Sequence, residues 1–415
     1  MSPCPLCWPA GPSAAYGLSL HPGRHTPIAT APTRSRIAPV DGLRAVAVLG
    51  VVWFHVWQAF HGIPWRLAHI GAHSIDLNEP ISIGQTGVDL FFVISGFCMY
   101  LMYARKQDKF SAVAYRSFLK ARWLRIAPAY YAAAFAIAVG LWLSGRGFPW
   151  YDLITNLTFT QHLLPQTNDL VAPFWSLATE WCFYLMLPFF IVATYRWGFR
   201  QAVVISVVGS LVFRLMFYVV FPGGGHSLAA YDVQTFILAR LVEFVAGIIV
   251  ARLYIQGVTL PPLLRGWRGF VLACVVAGVG RIWMGHQSAS LTPALGLTLE
   301  VSGLPLMTVG YALILWNVVC SVSVFQRFLC TSGMQAIGRW SYSMYLWHAW
   351  PVTWIATAVL THFGASPLTQ HLAYVVAVAV MIPISWLSYL LFERPYFVLR
   401  ARQKKPIGAP EAVAM

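Results

Sequence analysis

Two ionisable side chains, Arg44 and His55, stand eleven residues apart in Asp41-Gly-Leu-Arg-Ala-Val-Ala-Val-Leu-Gly-Val-Val-Trp-Phe-His55, a stretch otherwise apolar enough to cross a bilayer. Eleven residues make about three helical turns, so both side chains share one face, roughly 16 Å apart along the axis. Titratable groups inside a membrane are costly unless they face a protein interior or a wet cavity, which makes a functional role the default reading. This first segment is expected to line a polar path through the membrane.

Other ionisable groups recur in apolar surroundings. Glu180, in Phe174-Trp-Ser-Leu-Ala-Thr-Glu180-Trp-Cys-Phe-Tyr184, falls about two turns into the fourth apolar segment, at the expected depth of His55. A histidine and a carboxylate at one depth can perform general-base catalysis, the carboxylate orienting the imidazole and stabilising its charged form. The alternative is a structural Glu180, satisfied by neighbouring hydroxyls or an arginine. Asp89 opens the second segment in Gly87-Val-Asp-Leu-Phe-Phe-Val-Ile-Ser-Gly96, where it either joins the polar path or sits in a first helical turn favoured by the dipole. Ser95-Gly96 offers a place for close backbone approach or a bend. His348 lies mid-segment among aromatic residues and, if buried, needs a hydrogen-bond partner whether it packs or functions.

Arg122 and Arg125, three apart and so on one helix face, can grip phosphate in a fork geometry. They can equally be the ordinary basic flank of the third segment. Arg240 and Glu243 have the spacing to pair with each other, Arg214 and Glu300 have no evident partner, and Glu393-Arg-Pro395 reads as the structural end of the last segment.

The elements that must carry these groups are helices in a bilayer. Of 415 residues, 58% are hydrophobic and 10% charged, with mean hydropathy +0.65, far from the roughly 25% charged residues of soluble proteins. Apolar segments recur at 42–60, 86–103, 126–143, 174–194, 202–221, 234–253, 269–285, 294–316, 340–361 and 371–392. The expected architecture is therefore all-α and polytopic, with about ten transmembrane helices. The stretch 151–165 is too short and polar to cross and fits an interfacial piece on the outer side. Residues 1–36, rich in Pro, Gly, Ala, Ser and Thr, read as a disordered cytoplasmic tail before a membrane domain at 37–398, with a second cytoplasmic tail at 399–415.

A net charge of +15 raises the question of nucleic acid, but the basic residues sit in short loops between apolar runs. With both termini cytoplasmic, 23 of the 28 Lys and Arg fall on the inner side and only Arg66, Arg146 and Arg281 outside. That orientation puts Arg44 at the cytoplasmic end of its helix and His55 in the outer half. The seven cysteines are scattered, and Cys4-x-x-Cys7 has no second ligand pair, so neither a metal site nor a disulfide framework is expected. Phosphate-loop, dinucleotide-binding and serine-elbow motifs are absent.

Taken in order, Asp41-Gly-Leu-Arg44-x10-His55, Gly87-Val-Asp-Leu-Phe-Phe-Val-Ile-Ser-Gly-Phe, Arg122-x-x-Arg125-Ile-x-Pro, Trp175-Ser-Leu-x-x-Glu180-x-x-Phe-Tyr184, Ser341-Tyr-Ser-x-Tyr-Leu-x-His348 and Glu393-Arg-Pro resemble the acyltransferase 3 family of integral membrane proteins, over residues 38 to 398. The resemblance implies a ten-helix domain of a bacterial cytoplasmic (inner) membrane that takes an acyl group, commonly acetyl, from cytoplasmic acyl-coenzyme A. The acceptor it implies is a hydroxyl of a carbohydrate or other envelope or secreted compound. By position, His55 matches the family's first-span histidine and Arg44 its paired arginine, Arg122 and Arg125 its cytoplasmic arginine motif, and Glu180 the acid of its Trp-Ser-Leu motif. The expected roles are catalysis for His55 and Glu180, acyl-coenzyme A binding for Arg44, Arg122 and Arg125, and support or pore lining for Arg44, Asp89, Tyr184 and His348. Acyl-coenzyme A enters as co-substrate, with no permanently bound cofactor and no metal. Trp181 replaces a second acid found in many relatives, which puts a paired carboxylate in doubt, and any accessory transfer module is expected to be a separate protein. A transporter or flippase that uses the same intramembrane charges as a substrate pathway is the competing class. A sensor that kept the fold and lost the chemistry fits less well with intact Arg44, His55 and Glu180.

Overall fold

The computed structural model describes residues 37–61, 66–70, 73–76, 83–104, 112–164, 169–220, 233–285 and 293–402. The expected tail at 1–36, and all but the start of the one expected at 399–415, lie outside them. The architecture is all-α. Its one sheet among the described residues is a small antiparallel hairpin, β1 (Arg66–Ile70) with β2 (His73–Asp76).

The helices are α1 (Ala38–Ala59), α2 (Gly87–Ala104), α3 (Ala112–Leu141), α4 (Trp150–Leu157), α5 (Trp175–Trp197), α6 (Phe199–Val220), α7 (Ile237–Ile255), α8 (Gly266–Gly285), α9 (Pro293–Cys320), α10 (Val324–Leu329), α11 (Ser332–Trp347), α12 (Ala349–Phe363), α13 (Pro367–Ser388) and α14 (Arg394–Arg402). Among the described residues, eight are long and apolar enough to cross a membrane: α1, α2, α3, α5, α6, α8, α9 and α13.

The two remaining expected spans differ for physical reasons. Segment 234–253 forms α7, a 19-residue helix whose Arg240, Glu243 and Arg252 make it too charged to read as a simple span. Segment 340–361 is not one helix but two, α11 and α12, meeting at His348. Pro351 has no N–H to give the carbonyl of Trp347, and its ring crowds that carbonyl, so the ladder breaks there. Two further boundaries move. Helix α3 starts at Ala112 rather than 126, because the Ala, Leu, Lys and Arg of the basic flank are good helix formers. The Glu393-Arg-Pro395 segment does not end its helix. A π-turn, Tyr389–Glu393, absorbs the proline, and α14 carries the helix on to Arg402.

Helix packing relies on small residues. Gly96 of α2 lies on the backbone of Phe244, and Gly247 of α7 lies on the backbone of Val93 and Phe97, with no room for a Cβ at either. This matches the close approach expected at Ser95-Gly96. The Phe244 ring stacks on Phe92 at 4.7 Å and on Phe183 at 4.1 Å, tying α2, α7 and α5 together. Gly247→Val is expected to reduce the folded protein recovered in membranes severely, because overpacking costs about 1–3 kcal/mol even where side chains can move and here backbone is in the way. Membrane yield and monodispersity in mild detergent would measure it.

The two ends of the bundle carry exposed aromatic residues, Trp142, Trp150 and Tyr151 at the His55 end and Tyr195, Trp197 and Trp267 at the Arg44 end, as aromatic belts at membrane boundaries do. Helix α4 buries Leu153 and Asn156 and exposes Trp150, Tyr151 and Ile154. Its eight residues span only about 12 Å, which agrees with an interfacial piece.

Candidate active site

Helix α1 is the spine of the site. Its core face, Val48, Val51, Val52 and Val56, is at most 1% exposed. Backbone contacts clamp it: Gly338 of α11 sits on the Asp41 carbonyl, Gly42 on Leu329, and Gly87 on the Ala47 carbonyl. Substituting any of these glycines would push α1 away from its neighbours.

His55 is only partly buried. Its Nδ1 lies 3.0 Å from the Val51 carbonyl. A carbonyl only accepts, so Nδ1 carries the proton and the neutral ring keeps its lone pair on Nε2. The ring nearest in chemistry is His348, with centroids 4.9 Å apart and planes at 86°. His348 is fully buried at the α11–α12 break, and its Nδ1 lies 2.7 Å from the Tyr345 carbonyl. The sequence expectation that His348 needs a partner is met at Nδ1 and unmet at Nε2.

The carboxylate–imidazole pair expected of Glu180 and His55 does not form. Glu180 Oε1 accepts from Ser95 Oγ at 2.7 Å and from the Tyr184 hydroxyl at 2.5 Å. Helix α2 supplies Ser95, so Glu180 is held on the α2 side of α5, and equal depth in two helices does not make two groups neighbours. The partner it finds in charge is Arg125, whose electrostatic surroundings are Tyr184, Glu393 and Glu180.

A second polar group gathers around Glu393. The charges of Arg125 and Arg44 act on Glu393, and those of Arg44, Asp41, Arg125 and Arg122 on Cys98. The Arg44 Nε is buried without a hydrogen-bond partner. Glu393, 2% exposed, accepts from Ser343 Oγ at 2.7 Å. Ser388, 3.0 Å from Ser343, accepts from Trp347 Nε1 at 3.0 Å. The sequence reads Glu393 as part of the structural end of the last segment. The signal against that was available, since an acid directly after a long apolar run is as costly as one inside it.

Arg122 and Arg125 do not form one fork. Arg122, 2% exposed, reaches Met102 Sδ at 3.3 Å, packs 5.7 Å from the Phe118 ring and lines a cavity of about 800 Å3 between α2, α3, α5 and α14. Arg125 lies beside the carboxylates and 5.8 Å from the Phe397 ring. In a low-dielectric interior each guanidinium takes an aromatic face, and Arg125 takes acids as well.

Asp89 belongs to a third group. Arg240 Nη1 pairs with it at 2.8 Å and with Glu243 at only 3.6 Å, so the main partner of Arg240 comes from α2 and not from its own helix. The guanidinium lies 5.1 Å from the Trp175 ring. Arg214, 4% exposed, shares the electrostatic surroundings of Arg240, Glu243 and Asp89. The side chain of Glu300 lies outside the described residues.

Residues 37–390 match the acyltransferase domain family. The chain is 28% identical over 324 residues to the exopolysaccharide production protein ExoZ of Rhizobium meliloti, covering 76% of this chain and 90% of that protein. It is 23% identical over 384 residues to the peptidoglycan O-acetyltransferase OatA of Listeria monocytogenes, covering 88% of this chain but only 56% of that protein. No solved structure matches. With the match running from the start of α1 into the π-turn after α13, and with eight helices among the described residues fit to span a bilayer, the chain belongs to the acyltransferase domain family and is a membrane-embedded acyltransferase.

Proposed function

We propose that the protein transfers an acyl group, acetyl first of all, from acyl-coenzyme A at the cytoplasmic face of a bacterial inner membrane to a hydroxyl of a carbohydrate or similar envelope or secreted compound. In this reading α7 and the kinked α11–α12 pair complete ten spans, and both termini are cytoplasmic. The distribution of Lys and Arg supports the orientation. Carbohydrate acceptors are supported by the names of the relatives, an exopolysaccharide production protein and a peptidoglycan O-acetyltransferase.

The observation that carries the reading is His55, partly accessible, its Nδ1 committed to Val51 and its Nε2 lone pair free to accept a proton, on the same helix as Arg44. The acceptor hydroxyl gives its proton to His55 Nε2 as its oxygen attacks the thioester carbon. The carbon–sulfur bond breaks, and the imidazolium returns the proton to the coenzyme A thiolate. Arg44, Arg122 and Arg125 attract the donor's phosphates, with the cavity beside Lys120 and Arg122 as its way in. The flexible pantetheine arm then carries the thioester along α1 toward His55. Glu180, with Ser95 and Tyr184, serves this donor side by balancing Arg125.

Mass spectrometry of envelope glycans and secreted compounds from cells with and without the protein, paired with acyl-coenzyme A consumption by isolated membranes, tests the reading. A lost acyl increment and loss of consumption are expected. A transporter or flippase would move unmodified acceptor and leave acyl-coenzyme A untouched, and that outcome would overturn the proposal. Glu393→Gln is expected to raise KM for acyl-coenzyme A roughly tenfold at most, because loosening Arg125 and Arg44 weakens charge-assisted phosphate contacts worth about 1.5–3 kcal/mol each. Its kcat is expected to change little, which steady-state kinetics would show.

A further inference from the structure

The chemistry proposed for His55 leaves one polar atom beside it without a use. His348 is fully buried, its Nδ1 proton is committed to the Tyr345 carbonyl, and its Nε2 lone pair has no donor. Few buried polar atoms go unsatisfied, and those that do call for an explanation. The hydroxyls of Tyr345, Ser176 and Ser343 do not supply the proton, because each is already engaged. Tyr345 and Ser176 bond each other and the Pro173 carbonyl, and Ser343 donates to Glu393. The His55 ring, 4.9 Å away, is tied by its own Nδ1 to a carbonyl in the same manner. Two imidazoles therefore stand side by side, each with its lone pair on Nε2.

We propose that His348 positions the acceptor: its Nε2 accepts a hydrogen bond from a second hydroxyl of the acceptor, adjacent to the hydroxyl that His55 deprotonates. The proposal rests on the reading of His55 as the base. It narrows the substrate class to compounds with two closely spaced hydroxyls, as on neighbouring carbons of a pyranose ring. A compound with a single hydroxyl leaves the buried nitrogen unpaired, and sites built around a substrate hydroxyl reject analogues that lack it. The His348 ring is buried and lies 4.9 Å from the partly accessible His55 ring, so the hydroxyl that reaches it is one carried next to the reacting group. The Pro351 break sets His348 at the junction of α11 and α12.

The test uses two variants of the full-length protein. His348→Phe keeps a ring and removes the lone pair, whereas His348→Gln keeps an acceptor oxygen at similar reach. Acyl groups on envelope glycans are counted by mass spectrometry from cells carrying each variant, normalised to folded protein in the membrane, and coenzyme A binding is measured on purified protein. The Phe variant is expected to lower acylation roughly tenfold or more, the consequence of one unpaired substrate hydroxyl, with coenzyme A binding unchanged, and the Gln variant to recover a large part. NMR of the modified glycan is expected to find the acyl group next to a carbon bearing a free hydroxyl. Wild-type acylation by the Phe variant, a Gln variant no better than Phe, or an acylated position with no hydroxyl neighbour would each overturn the proposal. His55→Ala in the same series keeps the readings apart. Full acylation there would sink the base assignment, while the Phe and Gln contrast judges His348 alone.

Discussion

His55→Ala is expected to abolish acyl transfer while leaving the protein folded in the membrane. General-base catalysis by a positioned side chain contributes about 10²–10⁴ in rate, so the residual turnover should fall below detection in whole-cell glycan analysis. The fold should survive because the packing of α1 lies elsewhere. Val48, Val51, Val52 and Val56 carry its core face, the glycines at 42, 87 and 338 hold its backbone against neighbours, and the imidazole is partly exposed and bonded only within its own helix. The companion substitution Arg44→Met separates donor binding from chemistry. It should raise KM for acyl-coenzyme A with a smaller change in kcat, whereas His55→Ala should lower kcat and leave donor binding intact. Acyl-coenzyme A consumption by membranes, normalised to extracted protein, provides both numbers. Retained turnover in His55→Ala would remove the base assignment outright.

Much of this site was legible in the sequence because charge in an apolar run is conspicuous. Arg44, His55, Arg122, Arg125, Glu180 and Asp89 stand out for that reason alone, and the structure buries Arg122 and Asp89 and half-buries the other four. What a linear reading lacks is the angular order of helices. Glu180 and His55 were placed together by depth, a coordinate the sequence does carry. The bearing of α5 about α1 is set by which helices intervene, and it depends on packing glycines such as Gly96 and Gly247, whose partners are more than a hundred residues away. The same ignorance hid Glu393, which feels the charges of Arg125 and Arg44 because α13 and its π-turn fold back on α1 and α3. The kink at His348 was closer to legible, since Pro351 announces it. The hydropathy window that defines a span averages over a single break.

The buried charges around Asp89 provide the other large effect. Arg240→Met should destabilise the protein by about 3–5 kcal/mol, the usual consequence of removing one partner of a buried ion pair, because it leaves Asp89 and Glu243 facing each other with only Arg214 nearby. Glu243→Gln should be nearly neutral. It removes one of two acids that compete for the same guanidinium, and the shorter Arg240–Asp89 contact at 2.8 Å persists. Asp89→Asn falls between them, since Arg240 retains Glu243 at 3.6 Å. The thermal unfolding midpoints of the three variants in detergent would test this order, and a Glu243→Gln variant as unstable as Arg240→Met would contradict it. The same set decides what Asp89 is for. Arg240 rests against Trp175, the first residue of the helix that carries Glu180, so a purely structural cluster lowers the amount of folded enzyme and leaves turnover per folded molecule unchanged. If Asp89 also lines the path of the substrate, Asp89→Asn will lower turnover per folded molecule, while Glu243→Gln, at the other acid beside Arg240 and fully buried, will not.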